Sequence, residues 1–290
     1  MDYMARALQL ASRALGSVSP NPAVGAVLVR DGNVVGEGAT QPPGQAHAEV
    51  VALRAAGPLA QGSALYVTLE PCAHYGRTPP CADAIVAAGI RECHVAIVDP
   101  SPWVDGQGLT ILERAGIRVT RGSHAAEASQ LYEAYFSWLQ RKRPLVTALY
   151  ALGLDGQPRP LEPAMLGPAA GAELARLRAT TDRTVEDIAS LLADDPDLTQ
   201  LATDGVTALH VEARPEALGV LLERRLLDRV KVFLTPTFGG PISAGTADPL
   251  SEPSSSPLLR ALRAVRYERL GDTVLVSGTL PAQDQVSWTD

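Results

Sequence analysis

One histidine and two cysteines that can bind a metal place the strongest constraint on how this chain folds. His47 begins the run His47-Ala48-Glu49, and the cysteines follow at Cys72 and Cys81. One imidazole and two thiolates can hold a zinc ion in three of its four tetrahedral positions and leave the fourth for water. Glu49 lies two residues from the histidine, where it can move protons without coordinating the metal. The fold is therefore expected to bring these segments to one point.

The order of these residues is typical of zinc enzymes that deaminate nucleobases. In those enzymes a His-x-Glu sequence precedes Pro-Cys and a second cysteine, and the glutamate carries the proton. Here eight residues separate Cys72 from Cys81, rather than the two of that signature. Zinc lowers the pKa of a bound water toward about 7, so hydroxide can attack a ring carbon that bears an amine. Glu49 is expected to protonate the ring nitrogen and then the leaving ammonia.

Other roles for the same side chains stay open. Cysteine is often buried as a small hydrophobic residue, and a lone histidine is more often structural than a ligand. A purely structural zinc needs four protein ligands, and His74 is the residue that could supply the fourth. Cys93 has no partner nearby in sequence, and we expect it to be a free thiol of the core.

Composition and charge narrow the class of substrate. The chain has 290 residues, enough for two domains, and 46% of them are apolar, so each half can bury a core. The net charge is −7, and a nucleic-acid groove usually needs a basic patch. No apolar run approaches the ~18 residues of a membrane span. We therefore expect a small-molecule substrate and neither a nucleic-acid nor a membrane partner.

The cysteine count and the first residues predict a cytoplasmic protein. Three cysteines in a long chain do not suggest a disulfide framework. Asp2, Arg6 and Arg13 interrupt the apolar positions of the first 15 residues. This segment therefore lacks the continuous apolar core of a signal peptide.

Apolar periodicity and turn residues predict an α/β domain over residues 1–142. After an opening helix, two apolar runs flank Asp31-Gly32, which is a strong signal for a two-residue hairpin. Strands and helices then alternate, as in a layered domain with a largely parallel far side. The predicted helices cover residues 47–56, 79–88, 108–115 and 125–140, and the predicted strands cover residues 64–69, 94–98 and 117–120.

Residues 143–290 are predicted to form a second domain. Strands are expected at residues 145–151, 230–234 and 273–277, helices at residues 169–180 and 215–227, and a Ser/Pro-rich loop at residues 251–257. Gly239-Gly240 with Gly245 could suggest a phosphate loop. Their spacing does not match a dinucleotide fingerprint.

Longer motifs in the first half resemble a known family. They are Pro20-Asn21-Pro22, the run His47-Ala48-Glu49, the stretch from Thr68 to Cys81 with its Leu-Glu-Pro-Cys sequence, and the stretch from Asp99 to Gly108. Together they are similar to the bifunctional riboflavin-biosynthesis deaminase/reductase family. The resemblance implies a cytidine-deaminase-like three-layer α/β/α domain, followed by a truncated dihydrofolate-reductase-like α/β domain. It also implies deamination of 2,5-diamino-6-(5-phosphoribosylamino)pyrimidin-4(3H)-one to 5-amino-6-(5-phosphoribosylamino)uracil.

The same resemblance assigns further residues to the substrate. Asn21 would hydrogen-bond the pyrimidine, or it would only satisfy a Pro-rich turn. His74, Arg77 and Thr78 would hold the ribosyl phosphate, for which a guanidinium is well suited. The alternative role of Arg77 is a solvated loop charge.

Two positions depart from the family pattern near the substrate. Thr40 stands where the family often has His, and Ser101 stands where it often has Asn. Either change could loosen the contacts to the sugar phosphate. A deaminase of another aminopyrimidine or of a purine therefore stays open.

The second half resembles the family's reductase domain only in pieces. Gly153 replaces the serine of its Ser-Leu-Asp-Gly sequence, Ala213-Arg214 replaces two glycines, and a Val-Gly pair is replaced near Glu186-Asp187. Only about ten residues separate Leu198 from Leu209, where the family has several strands and helices. Glycines permit backbone to approach a dinucleotide phosphate, and side chains obstruct it. These departures predict a degenerate reductase half.

Three interpretations of the whole chain follow. The first is a zinc deaminase whose reductase half is inactive. The second is the full bifunctional enzyme, which would need NADPH as a second cofactor. In the third, the C-terminal half dimerises the chain or docks a separate reductase.

Overall fold

The structure is a computed structural model that describes residues 1–74, 79–101, 106–212, 215–238 and 262–280. Contacts divide the chain into two compact units. The first unit takes Met1–Arg143 together with Ala202–Thr207, and the second takes the other described residues. Both units combine helices with a sheet, which confirms the α/β class predicted for both halves.

The sheet of the first unit has the strand order β2-β1-β3-β4-β5. Its strands are β1 Gly25–Arg30, β2 Asn33–Ala39, β3 Ala64–Val67, β4 Glu92–Val95 and β5 Arg118–Arg121. Strand β1 pairs antiparallel with β2 and β3, whereas β3, β4 and β5 run parallel. Asp31 and Gly32 connect β1 to β2 with φ angles of 51° and 78°, as a two-residue hairpin turn requires. The predicted hairpin and the predicted parallel far side are both confirmed.

Helices cover both faces of this sheet. They are α1 Tyr3–Ala14, α2 Ala48–Ala56, α3 Cys81–Ala87, α4 Gln107–Arg114 and α5 Ala125–Arg141, with a 3-10 turn at Gly57–Ala60. Gly25 packs closely on α1, because a Cβ at this position would lie 1.9 Å from the carbonyl oxygen of Ala7. Gly38 packs in the same way on α2, because a Cβ there would lie 2.3 Å from the carbonyl oxygen of Ala48. Gly38 pairs with Ala26, the neighbour of Gly25, and alternate residues of a strand face opposite sides. Helices α1 and α2 therefore lie in different layers.

The core of the first unit is mainly aliphatic. Its fully buried side chains include Leu28, Leu65, Ile85 and Leu109. Cys93 lies in the same cluster with no exposed surface, and it is a free thiol as expected. Burial raises the pKa of this thiol, so it stays protonated and contributes as a small apolar side chain.

The sheet of the second unit has the strand order β11-β12-β10-β6-β9-β8, with β7 paired to β6. Its strands are β6 Leu145–Gly153, β7 Pro158–Arg159, β8 Arg183–Val185, β9 Ala208–Glu212, β10 Arg229–Thr235, β11 Arg263–Leu270 and β12 Thr273–Thr279. Strands β10, β6, β9 and β8 are parallel, and β12 and β11 continue the sheet antiparallel. One face packs on Leu174 and Leu177 through Leu149 and Phe233.

The helices of this unit differ from the predicted ones at their ends. They are α6 Pro163–Leu166, α7 Pro168–Ala179, α8 Ile188–Asp194, α9 Thr199–Thr203, whose last two residues belong to the first unit, and α10 Pro215–Glu223. The prediction of a helix to residue 227 was wrong, because Arg225 adopts a φ of 58° and Leu226 N–H bonds back to Leu221 O. The predicted Ser/Pro-rich loop, the Gly239-Gly240 and Gly245 positions, and Ala213-Arg214 lie outside the described residues. Among the described helices, none is long and apolar enough to cross a bilayer.

Candidate metal centre

His47 is the residue immediately before α2, and its side chain is turned to the cysteines rather than to the helix. It occupies the N-cap position with extended backbone, and its imidazole makes no capping hydrogen bond. The loop before it is closed by the backbone hydrogen bond from Gln41 N–H to Ala46 O at 3.1 Å. The helix start therefore positions the backbone of His47 and leaves its imidazole free of the helix, so that it can contact the cysteines.

The two cysteines are held together by the start of α3. Cys72 lies in the loop after β3, and Cys81 is the first residue of α3. The backbone N–H of Cys81 donates to Cys72 Sγ at 3.3 Å, and the N–H of Ala82 donates to Cys72 O at 3.1 Å. Pro80 precedes the helix at its N-cap position. These two hydrogen bonds bring Cys72 and Cys81 together although eight residues separate them in the sequence.

His47, Cys72 and Cys81 bring three ligand atoms to the spacing that a tetrahedral zinc ion needs. His47 Nδ1 lies 3.6 Å from Cys72 Sγ and 3.3 Å from Cys81 Sγ, and all three atoms lie within 4.8 Å of one another. Normal Zn–S and Zn–N bonds in a tetrahedron place N and S about 3.6 Å apart and the two sulfurs about 3.8 Å apart. The donor set and its dimensions therefore fit zinc with three protein ligands.

The thiols of Cys72 and Cys81 differ in how readily they lose a proton. Hydrogen bonding from the Cys81 side chain, helped by His47, lowers the pKa of Cys72 to about 4. The same contact raises the pKa of Cys81 because it favours the protonated donor. The Cys72 contact also raises the pKa of His47. A thiolate at Cys72 is the form in which cysteine binds a metal.

Glu49 lies in the first turn of α2 and is almost completely buried, with 3% of its surface exposed. Burial raises the pKa of its carboxyl to about 7, and the charge of Cys72 adds to this rise, whereas a hydrogen bond with Cys81 opposes it. A group that titrates near neutral pH can both accept and return a proton. The position and pKa of Glu49 therefore suit proton transfer beside the metal ligands.

The residues expected to contact substrate are less fully described. Asn21 lies half-buried in the loop after α1, where its backbone N–H donates to Val18 O at 2.9 Å. His74 is exposed in the loop after Cys72. Arg77 and Thr78 lie outside the described residues. The structure thus brings together the three metal-ligand candidates and Glu49, while the roles of the other four side chains stay predictions.

The two departures from the family pattern occupy defined places. Thr40 is buried, and its Oγ1 accepts a hydrogen bond from Val24 N–H at 2.9 Å. Ser101 is buried as well, and its N–H donates to Asp99 Oδ1 at 2.9 Å. Thr40 therefore braces the start of β1, and Ser101 fixes the Asp99 carboxyl.

Asp99 and Glu70 are two buried carboxyl groups near this centre to which the sequence assigned no role. Burial raises the pKa of Asp99 to about 6, and the charges of Cys72 and His74 both act on it. Glu70 stands directly before Pro71, and its carboxylate accepts backbone N–H groups from a distant segment. The position of this glutamate between a buried strand and the metal-ligand loop is visible in the sequence. Its hydrogen-bond partners are not, because they lie 29 to 39 residues away.

Side chains crowd the end of β6 around Gly153. Arg159 Nη2 donates to Asp155 Oδ2 at 2.6 Å, and its Nε donates to Thr237 Oγ1 at 3.1 Å. A Cβ at Gly153 would lie 2.4 Å from Arg159 Nη2 and 2.6 Å from Thr237 O. The place of the family's serine side chain is therefore taken by the Asp155–Arg159 pair.

The part of the chain that matches a protein-family description lies in the first unit. Residues 1–97 match the family described as the cytidine and deoxycytidylate deaminase zinc-binding region. The chain is 44% identical over 200 residues to the riboflavin biosynthesis protein RibD of Escherichia coli K12, an alignment that covers 68% of this chain and 54% of the relative. It is 38% identical over 242 residues to RibD of Haemophilus influenzae, covering 80% of this chain and 65% of the relative.

A solved structure extends the similarity to both units. The structure of Acinetobacter baumannii RibD, form 1, matches with a TM-score of 0.76 at 28% identity, covering 97% of this chain and 98% of that one. By contrast, the chain spans only 54% and 65% of the length of the two curated relatives. The fold of both units is therefore similar to that of the relative, and an alignment over 80% of this chain also reaches into the second unit.

Proposed function

Because the chain is a homologue of the RibD proteins of riboflavin biosynthesis, we propose that it is a zinc-dependent deaminase of that pathway. It converts 2,5-diamino-6-(5-phosphoribosylamino)pyrimidin-4(3H)-one to 5-amino-6-(5-phosphoribosylamino)uracil and ammonia. The observation that carries this proposal is the cluster of His47, Cys72 and Cys81 beside the buried carboxyl of Glu49. The similarity of residues 1–97 to a deaminase zinc-binding region supports the same reaction class.

Three side chains hold the metal in this proposal. His47 binds through Nδ1, the nitrogen that faces both sulfurs, and Cys72 and Cys81 bind through Sγ. Zinc held by these three side chains would supply a water molecule whose pKa is lowered toward about 7.

Glu49 moves the protons. Its carboxylate takes one proton from the attacking water and delivers it to the ring nitrogen beside the attacked carbon. As the carbonyl forms, it takes the remaining proton of the added hydroxyl and gives it to the amine, which leaves as ammonia. A carboxyl with a pKa of about 7 gives and takes protons with a small difference in free energy near neutral pH. The near-complete burial of Glu49 excludes bulk water from competing for these protons.

The substrate side chains belong to the same proposal. Asn21 hydrogen-bonds the pyrimidine, while His74, Arg77 and Thr78 hold the ribosyl phosphate. The exposure of His74 beside the ligand loop supports this, since a phosphate group would approach from solvent. Arginine suits phosphate because its guanidinium makes paired, charge-assisted hydrogen bonds.

The second domain, residues 143–290, is proposed to lack reductase activity. The Asp155–Arg159 pair at the end of β6 supports this, because it fills space beside Gly153. We propose that the domain is kept for packing or for homodimerisation. Strand β11 at the end of the described sheet supports dimerisation through its exposed Tyr267 and Val265. A cytoplasmic location is also proposed, since free cysteines suit a reducing compartment.

The deciding experiment supplies the diaminopyrimidine ribosyl phosphate to the zinc-loaded chain and measures ammonia. Deamination without NADPH, and no further conversion when NADPH is added, is the expected result. Ammonia release that Glu49→Gln abolishes would place the reaction at this site. Absence of deamination by a folded, zinc-loaded chain would refute the proposal.

A deaminase of another aminopyrimidine or of a purine is the second candidate function. Thr40 and Ser101 favour it, because the family often carries His and Asn at these positions. A panel of aminopyrimidine and purine nucleotides separates the two candidates. The riboflavin-pathway substrate is expected to have the highest kcat/KM of the panel.

A further inference from the structure

Glu70 joins the metal-ligand loop to a segment that is far away in the sequence. It is 4% exposed and stands between β3 and the Pro71-Cys72 pair. Its Oε2 accepts hydrogen bonds from the backbone N–H groups of Asp99 at 3.3 Å and Gly106 at 3.1 Å. Its Oε1 accepts from Gly108 at 2.9 Å and, more weakly, from Leu109 at 3.4 Å. We name the described residues 99–101 and 106–109 the α4 arm.

The donors that Glu70 receives include N–H groups that a helix cannot satisfy by itself. The first N–H groups of any α-helix have no intrahelical acceptor, and α4 begins at Gln107. Its N-cap residue is Gly106, which has a φ of 77° and no side chain to accept them. The carboxylate of Glu70, which lies in the segment after β3, takes the place of the missing cap. A negative charge at this end also suits the helix dipole.

Gly108 brings the α4 arm into direct contact with the residue before Cys72. A Cβ at this position would lie 1.9 Å from Pro71 O and 3.2 Å from Glu70 Oε1. Only a glycine allows this approach of one backbone to another. The backbone N–H of Glu70 donates to Ile97 O at 3.0 Å, so the sheet fixes the position from which the carboxylate reaches.

The α4 arm carries the buried carboxyl group of Asp99. The charges of both Cys72 and His74 act on the pKa of this carboxyl. Glu70 holds the backbone N–H of this same residue. Any movement of the α4 arm relative to Pro71 would therefore move Asp99 relative to the ligand loop.

We propose that Glu70 is a positioning residue of the deaminase site, whose carboxylate holds the α4 arm against Pro71-Cys72 and so sets where Asp99 stands beside the bound substrate. This inference rests on the proposed function. Glu70 neither binds the metal nor carries the transferred proton. Its effect reaches the substrate through the backbone of the α4 arm.

The test replaces the carboxylate by the amide in Glu70→Gln. An amide keeps one acceptor oxygen but sets an NH2 group against two of the backbone donors. We expect zinc content and kcat within about threefold of the wild type, and a KM raised about tenfold or more, because loss of charge-assisted hydrogen bonds loosens substrate binding. Glu113→Gln is the matched control, since Glu113 lies exposed on α4 and pairs with Arg121. This control should leave KM unchanged.

Two outcomes would overturn the proposal. A Glu70→Gln enzyme with KM within about twofold of the wild type would show that the α4 arm is not set by the carboxylate. Loss of zinc in parallel with activity would make Glu70 a support of the metal ligands instead. Gly108→Ala approaches the same contact from the other side, and it should raise KM in the same way.

Amide hydrogen exchange tests the contacts without using activity. The N–H groups of Gly106 and Gly108 bond to Glu70, so in the wild type they should exchange about 100-fold more slowly than open amides. Fast exchange of both would overturn the proposal even where Glu70→Gln does not fold. If the wild type does not deaminate the substrate, the proposed function fails separately, and slow exchange would still establish the Glu70 contacts.

Discussion

His47 Nδ1 lies 3.3 Å from Cys81 Sγ, although 34 residues separate the two side chains in the chain. The separation is close to the ~3.6 Å expected between an imidazole nitrogen and a thiolate on one tetrahedral zinc. Both residues stand at helix starts, where α2 and α3 begin. Two helix ends and one loop thus bring the three candidate ligand atoms together.

The first prediction concerns the metal ligands. Cys72→Ser and Cys81→Ser should each lose most of the zinc, because three protein ligands leave none in reserve. Cys93→Ser is the matched control, since Cys93 is buried in the core and is not one of the three grouped ligand candidates. It should keep the metal while losing some stability. Metal analysis of the purified variants decides the matter, and full zinc retention in both ligand variants would contradict the assignment.

The second prediction concerns the proton carrier. Glu49→Gln should keep zinc and fold but lose turnover by at least about 10²-fold, the low end for a positioned acid or base. The amide is nearly the same size and cannot carry the proton. Steady-state ammonia release measures the effect, with Glu37→Gln as a control for a glutamate paired to Arg6. Near-normal turnover in Glu49→Gln would rule out the shuttle role.

Candidate ligands and a candidate proton carrier could be proposed from the sequence because their chemistry restricts residue type and spacing. His, Glu and Cys at these positions are recognisable without a structure. The role of Glu70 could not be read in the same way. Its partners are backbone N–H groups of Asp99, Gly106 and Gly108, and any residue except proline supplies such a donor. Only the fold shows which of them meet the carboxylate.

Fold prediction succeeded where turn residues clearly mark the end of an element, and it failed where elements were short or exposed. Asp31-Gly32 located the first hairpin. By contrast, α9 has five residues, too few for a helical period to be seen. Strand β11 was missed because most of its side chains are exposed and it carries charged residues instead of an alternating apolar pattern. Strand β11 pairs antiparallel with β12, and nothing in the sequence of β11 itself predicts this pairing.

The third prediction concerns the substrate phosphate. Arg77→Ala should weaken the phosphorylated substrate more than its dephosphorylated analogue. Charge-assisted hydrogen bonds of this kind contribute roughly 1.5–3 kcal/mol, so KM should rise by about 10- to 150-fold. Arg114→Ala, an exposed arginine at the end of α4, is the control. Equal effects of Arg77→Ala on both ligands would exclude phosphate recognition by this residue.

The fourth prediction concerns the pH dependence of stability in the second unit. His210 in β9 is buried, and its Nδ1 has no hydrogen-bond partner among the described residues. Burial lowers the pKa of this imidazole from 6.5 to about 4. Below pH 6.5, His210 takes up a proton in the unfolded chain but stays neutral in the folded chain. The free energy of unfolding therefore decreases as the pH falls from 6.5 toward 4. At pH 5 the expected loss is about 2 kcal/mol.

His210→Gln should remove this loss, because the amide does not titrate. Urea unfolding of the full chain at pH 7 and pH 5 should therefore show a smaller difference in His210→Gln than in the wild type. His124→Gln should change the difference in the opposite sense, since the hydrogen bond with Asp2 raises the pKa of His124. An identical pH response in the wild type and His210→Gln would show that His210 does not control acid stability.

The fifth prediction is that the second domain neither binds NADPH tightly nor oxidises it. A reductase must hold the pyrophosphate of the dinucleotide against backbone, as glycines permit. The sequence places Ala213-Arg214 where the family has two glycines. At the end of β6, the ion pair between Asp155 and Arg159 occupies the space next to Gly153. Titration calorimetry should give no NADPH binding in the micromolar range.

The variant Gly153→Ser, which restores the family's serine, tests why the second domain does not bind NADPH. In Gly153→Ser the new side chain would meet Arg159 Nη2 and Thr237 O, since even a Cβ lies 2.4 Å and 2.6 Å from them. The variant should therefore lower the melting temperature without gaining NADPH affinity. Oxidation is measured with the deaminated ribosylamino-uracil phosphate present, because a reductase turns over only with its substrate. Micromolar NADPH affinity together with turnover in the wild type would restore the bifunctional enzyme. In that case the Asp155–Arg159 pair would have to open when the dinucleotide binds, and NADPH would protect Arg159 from arginine-modifying reagents.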